Sequence, residues 1–227
     1  FFRKANLCGS LLLIVTPTPR HQQGDERTDK QLPHPPDPTA RAAAVKRELP
    51  GASALLLQLE VTPDLSLEVA REAKAQGVTV MLDPGPVRPL PEGLLSLCDV
   101  VTPNETEARA LVGFPVTGPD SAAEAVSALL DQGVGIVVIK LGGQGAYFAD
   151  QKNRGMTPPF DVDAVDSVAA GDAFNGALAV SLAEGKDLEE AVIIASAAGA
   201  LAVTRTGAQD SMPERSQVEE LIRSQPR

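Results

Sequence analysis

Unbroken apolar runs of strand length recur along the chain, and helical patterns separate them. ALLLQL covers 54–59, VTVML 78–82, DVVT 99–102 and GIVVIK 135–140. A strand with one wet face alternates apolar and polar residues, whereas a strand apolar at nearly every position has to be covered on both faces. After Pro63, DLSLEVAREAKAQG carries helical apolar spacing and stops at Gly77. Strand, helix, strand is therefore the repeating unit, and it predicts an α/β fold with a mainly parallel sheet and helices on both faces.

The remaining pattern fills in around that unit. TARAAAVKRELPGAS, from about residue 39, has helix formers closed by Pro50-Gly51. A short helix is expected near 91–97, and others from NETEARALV and over 120–132, about 172–184 and about 188–204. GAYFAD (145–150) reads as an antiparallel addition, and 214–224 as a surface helix. Residues 1–38, with TPTPRHQQGDERTDKQLPHPPDPT at 16–39, are Pro-rich and without periodicity. They are expected to be irregular, with one domain over 39–227.

The composition narrows the function. Thirty acidic residues against 20 basic ones give a net charge of −10, which offers no electrostatic footprint for nucleic acid or an anionic membrane. A small-molecule partner is expected instead. Cys8 and Cys98 lie far apart and form no CxxC, so neither a disulfide framework nor a zinc site is suggested, and a cytoplasmic location fits. Both histidines, His21 and His34, fall in the irregular segment, which argues against a Ser-His triad or a His-ligated metal in the domain. Arg3 and Lys4 ahead of an apolar run at 11–15 imitate a secretory leader, but the run is short and broken and no A-x-A site follows. No apolar stretch is long enough to span a bilayer. The chain begins with Phe rather than Met, as a fragment would.

Four motifs carry candidate chemistry. In DSVAAGDAFNGAL, from Asp166, Gly171 permits a positive φ or a close backbone approach, and Ala169 and Ala170 leave room above the turn. Amides at the start of the following helix, with its dipole, suit an anion. Asp172 there is either a helix cap or a base that takes a proton from an incoming hydroxyl. In TPNETEARALV (102–112), Asn104 and Glu107 have the spacing of a capping box. Alternatively, Glu105 and Glu107 supply oxygens for a hydrated Mg²⁺ beyond a strand end. IKLGGQGAYF (139–148) is either a plain turn or a backbone surface for a nucleotide; it matches neither the Rossmann fingerprint nor the P-loop. In VTRTGAQDS (203–211), Gly207 reads as a helix terminator.

In this order, GASALLLQLE, VTPNETEARALVG, IKLGGQGAYF, AVDSVAAGDAFNGAL and AVTRTGAQDS resemble the ribokinase/PfkB family of sugar kinases over roughly residues 40–222. Many members have Gly where Ala169 stands and Thr where Ser167 stands. The resemblance implies a three-layer αβα sandwich and transfer of the ATP γ-phosphoryl group to a sugar's primary alcohol, D-ribose giving D-ribose 5-phosphate. It implies Asp172 as the base, with Ala170, Gly171 and the Asp172 amide as the anion hole. Asn104 and Glu107 would lie near the phosphates and Mg²⁺. Lys140, Leu141, Gly142, Gly143, Gln144 and Gly145 would line the nucleotide site, with Ser196 near the adenine. A monovalent cation, normally K⁺, would be held by Asp166, Val168, Ala202, Arg205, Gly207 and Ser211, mostly through carbonyls, and Glu60 would contact the sugar. A homodimer is left open.

The family carries more strands, a β lid and a glycine-rich sugar-binding segment ahead of the strand equivalent to 54–59. Here the preceding stretch is Pro-rich, and Gly142-Gly143 is the chain's only glycine pair. The expectation is an N-terminally incomplete fold with the nucleotide half present, most of the sugar half missing and an uncovered sheet edge. Another PfkB-type sugar or nucleoside kinase, or a non-catalytic nucleotide-binding protein, are the alternatives.

Overall fold

The computed structural model describes residues 12–15 and 38–225, and two compact units make up that chain, one ending at Val101 and the other beginning at Thr102.

In the first unit, β2 (Ala54–Gln58) and β3 (Thr79–Asp83) run parallel from Ala54↔Thr79 to Gln58↔Asp83, and β4 (Val100–Val101) continues parallel to β3. Leu55, Leu56 and Leu57 are all buried, as are Val80, Met81 and Leu82. Neighbouring strand residues point to opposite faces, so these strands are covered on both, as their unbroken apolar character requires. Helix α1 (Pro38–Glu48) packs on α2 (Pro63–Ala75), which lies against β2 and β3. Pro63 opens α2 with its φ preset; Leu65, Val69, Ala70 and Ala73 form its buried stripe, and Gly77 at φ 73° turns the chain back towards β3. Helix α3 (Leu94–Leu97) is shorter than expected.

The N-terminal side of this unit differs from the sequence reading. The segment expected to be irregular contains β1 (Leu12–Val15), antiparallel to β2 from Leu12↔Leu57 to Val15↔Ala54. The backbone groups at the free side of β2 have a strand to pair with, so the edge expected there to be uncovered is occupied. The rest of 1–37 lies outside the described residues.

Cys98, at the end of α3, is 3% exposed and its thiol donates to the Leu94 carbonyl at 3.2 Å. Burial, with Asp99 adding, pushes its pKa from 9.0 up to about 12. Since a thiolate is the reactive form, iodoacetamide at neutral pH is expected to leave Cys98 of the folded protein unmodified and to label it in urea, as read by mass spectrometry. The neutral buried thiol adds no pH dependence below the unfolded value; stability falls as pH rises from about 9 towards about 12, where the unfolded chain ionises first.

In the second unit, α4 (Glu105–Val112) and α5 (Pro119–Asp131) precede β5 (Ile136–Lys140). A 3-10 turn, Gly142–Gln144, leads into β6 (Ala146–Ala149), antiparallel to β5 as expected. β7 (Arg154–Thr157), antiparallel to β6, was not expected from the sequence. Helix α5 packs on β5 and β6, and α7 (Leu188–Ala202) on β6 and β7. Helix α6 (Ala170–Ala183) lies along α7, and a Cβ on Gly199 would meet the Ala170 carbonyl at 3.3 Å, so glycine is what lets α7 approach the start of α6. α8 (Arg215–Ser224) completes the cover: Val218 joins Phe160, Ala197 and Ala198 in one apolar cluster.

Candidate active site

The start of α6 is where backbone and chemistry meet. The sequence allows Gly171 a positive φ or a close backbone approach; the left-handed position falls on Ala169, φ 63° and ψ 5°, the one non-glycine with positive φ among the described residues. An L-residue pays about 1–2 kcal/mol for that conformation. The reversal makes Ala169 the N-cap and places Ala170, Gly171 and Asp172 in the first turn, so Asp172 is not the residue that caps this helix. Alanine has no side-chain acceptor, so the N-cap residue of α6 makes no side-chain cap. The Ala170 amide donates to the Ser167 carbonyl at 3.3 Å. Those of Gly171 and Asp172 have no intrahelical acceptor, as at any helix start. α7, by contrast, is capped by Asp187, which accepts the Glu190 amide at 2.8 Å.

Asp166 ties this turn to the loop after α7. One carboxylate oxygen accepts the Val168 amide at 3.0 Å and the other the Gly207 amide at 3.4 Å. The Val165 and Asp166 amides both donate to the Val203 carbonyl, at 2.7 and 3.0 Å. Of the six residues expected around a monovalent cation, the structure brings Asp166, Val168 and Gly207 into direct contact. The Ala202 carbonyl accepts the Arg205 amide at 3.4 Å, and buried Ser211 donates its hydroxyl to the Ala208 carbonyl at 3.2 Å within the same loop. The donors on hand are a carboxylate, carbonyls and a hydroxyl, all hard oxygens, which fits an alkali cation. Among the described residues no three His, Cys, Asp or Glu side chains gather to hold a metal without such carbonyls.

Asn104 and Glu107 form the complete capping box. The Asn104 Oδ1 accepts the Glu107 amide at 2.9 Å, while Glu107 accepts the Asn104 amide at 2.8 Å and its Nδ2 at 2.9 Å. Asn104→Ala is expected to lower stability by about 0.5–2 kcal/mol, measured by urea denaturation. Asn104 also bridges Lys140 in parallel, with the Lys140 amide on the Pro103 carbonyl at 2.9 Å. Two motifs distant in sequence thereby meet at the end of β5, and the Glu105 carboxylate stands beside Gly142.

The turn beyond Lys140 is closed by Leu141 N to Gly145 O at 2.8 Å, Gln144 N to Leu141 O at 2.9 Å and Gly145 N to Gly142 O at 3.0 Å. Gly142 and Gly143 are exposed, and the Gln144 side chain donates to the Thr117 carbonyl at 3.2 Å. Gly145 has a further constraint: at φ 94° a Cβ there would stand 2.0 Å from the Thr157 carbonyl oxygen. Thr157, which packs beside two of the predicted site residues, was missed in the sequence reading because β7 was missed. It is buried, with its hydroxyl 3.4 Å from that of Ser196 on α7. The pair Pro158-Pro159 was the available signal, since a residue before proline is pushed into extended conformation. Glu60 belongs to the first unit and is exposed in the turn after β2.

Residues 25–215 match the pfkB family carbohydrate kinase profile. The chain belongs to the pfkB family of carbohydrate kinases. A ribokinase of Haemophilus influenzae is 43% identical over 169 residues, 74% of this chain and 55% of that protein. One of Staphylococcus aureus is 40% identical over 163 residues, 71% and 54%. The chain thus spans about half the length of the curated relatives it matches. Among solved structures, Thermotoga maritima ribokinase superposes with a TM-score of 0.71 at 40% identity, over 78% of this chain and 59% of that one. Arabidopsis thaliana ribokinase complexed with ribose and ATP gives 0.73 at 35%, over 81% and 58%. Escherichia coli phosphofructokinase-2 in complex with potassium gives 0.68 at 25%, over 83% and 63%. The pfkB chain described here therefore has the ribokinase-like α/β fold, with a phosphotransferase's family membership. Among its described residues no helix is long and apolar enough to cross a membrane.

Proposed function

We propose that this chain carries the phosphoryl-transfer machinery of an ATP-dependent D-ribose kinase that yields D-ribose 5-phosphate and ADP in the cytoplasm. One observation carries the reading: α6 starts behind a left-handed alanine that has no side-chain acceptor, with Asp172 in its first turn. Asp172 takes the proton of the sugar's primary hydroxyl as that oxygen attacks the γ-phosphorus. The amides of Ala170, Gly171 and Asp172 face the phosphoryl oxygens, and the helix dipole adds to them. In phosphoryl transfer charge is spread over the non-bridging oxygens, so dipoles already in place act without reorganising.

Lys140 through Gly145 line the nucleotide, with Ser196 on the adenine side. Asn104 and Glu107 would hold Mg²⁺ through water, and Asp166, Val168, Ala202, Arg205, Gly207 and Ser211 would hold K⁺. Mg²⁺ held there would supply positive charge to offset that of the phosphates. Glu60 would contribute to the sugar site. Support comes from family membership, from the ribokinases among the relatives and from neighbours solved with ribose and ATP or with potassium.

The test is incubation of the purified chain with ATP, MgCl₂, KCl and D-ribose, with mass detection of the sugar phosphate and calorimetry for MgATP. Ribose 5-phosphate together with ADP is the expected result. MgATP binding without any sugar phosphate would assign the chain to nucleotide binding alone, and absence of both contradicts the reading.

A further inference from the structure

Ala169 holds a backbone conformation that alanine disfavours, and the groups that keep it there lie on both sides of the turn. Asp166 reaches forward to the Val168 amide at 3.0 Å and across to the Gly207 amide at 3.4 Å. The two amides at Val165 and Asp166 share the Val203 carbonyl at 2.7 and 3.0 Å. The residues just before Ala169 are therefore fastened to the loop at 203–207. Immediately after Ala169, the Ala170 carbonyl packs against Gly199 of α7, where a Cβ would stand a tight 3.3 Å from it. With both flanks held, the φ of Ala169 has to absorb the change of direction between the loop and α6.

We propose that Asp166 is a positioning residue: its carboxylate holds Ala169 in the left-handed conformation and so aims the Gly171 and Asp172 amides at the phosphoryl group. The proposal rests on the kinase reading above, and it adds to Asp166 a role separate from that of a cation ligand. Removal of the carboxylate lets Ala169 relax to negative φ, and the first turn of α6 then points elsewhere. Glycine populates positive φ about as readily as negative φ, so with Gly at 169 the clamp becomes dispensable. A cation ligand has no such dependence on residue 169.

The experiment is a double-mutant cycle of Asp166→Ala and Ala169→Gly in the full chain, read by calorimetric titration with MgATP and by the carbon chemical shifts of Ala169, which report its φ. Asp166→Ala alone is expected to weaken MgATP by about tenfold or more, and the double variant to return to within about threefold of Ala169→Gly. In the single variant the Ala169 shifts move away from left-handed values. A double variant as weak as Asp166→Ala overturns the proposal, as does Asp166→Ala binding like the parent. If the parent itself does not bind MgATP, the kinase reading fails and the Ala169 shifts alone decide: unmoved shifts in Asp166→Ala overturn the clamp. Should Asp166→Ala fail to fold, Asp166→Leu, which is close in shape and removes both acceptor oxygens, is read the same way, and Ala169 shifts and MgATP affinity both equal to the parent's overturn the clamp.

Discussion

Asp172→Asn is expected to lower ribose phosphorylation by about 10²–10⁴-fold while leaving MgATP affinity within a few-fold of the parent. The reasoning separates two functions of one helix turn. Asparagine keeps the size of aspartate and keeps its own backbone amide, so the α6 start still presents the same N–H groups to the phosphates. What it lacks is a group able to take the hydroxyl proton. Rate and nucleotide affinity should therefore part company, and steady-state kinetics beside calorimetry would show it. A variant that lost both equally would mean that Asp172 supports the turn rather than the proton transfer.

Gly145→Ala is expected to destabilise by more than about 4 kcal/mol or to abolish folding. Two independent costs coincide there. The backbone sits at φ 94° and ψ −142°, a region reserved almost entirely for glycine, and the added methyl would stand 2.0 Å from the Thr157 carbonyl. The neighbour at that contact is backbone of a paired strand, which cannot turn aside as a side chain could. Gly143→Ala provides the contrast, since nothing lies within 4 Å of a Cβ there and its φ is not positive. That variant should remain within about 1 kcal/mol of the parent in thermal or urea unfolding.

The glycine-rich turn shows how a sequence motif can have two reasons for its composition. Gly142 and Gly143 are exposed, with only the Glu105 carboxylate, at 4.0 Å, near a prospective Cβ on Gly142 and open space at Gly143, consistent with a backbone surface for a ligand. Gly145 is glycine because β7 passes over it, whatever binds nearby. From the sequence these three look alike.

Where burial on both faces decides the structure, the sequence was legible. The runs at 54–59, 78–82 and 135–140 are apolar because helices or strands cover them, and each became a strand within a residue or two of its expected bounds. β7 was not legible: RGMT has neither alternation nor a β-branched run, and Gly155 pairs there because the Phe148 ring lies 2.7 Å from where its Cβ would be. A strand made by a partner's side chain leaves little trace in its own residues.

The site divides in the same way. Asn104 and Glu107 were expected either to cap α4 or to face a metal; the cap is formed, and the metal reading continues beside it as part of the proposed mechanism. For α6 the spacing identified the turn and allowed Gly171 either a positive φ or a close backbone approach, but it did not identify Ala169 as the left-handed residue. The choice depends on Asp166 and on Gly207, about forty residues further along the chain, and local propensity carries no information about so distant a tether. That left-handed alanine also explains why Asp172 lies three residues inside the helix start instead of on the cap.

The central claim is that the start of α6 receives the phosphates, and amide NMR on the chain titrated with MgATP tests it most directly. The largest shift changes are predicted at Ala170, Gly171 and Asp172, accompanied by residues 142–145. Saturable binding whose shift changes leave those amides unmoved would contradict the account.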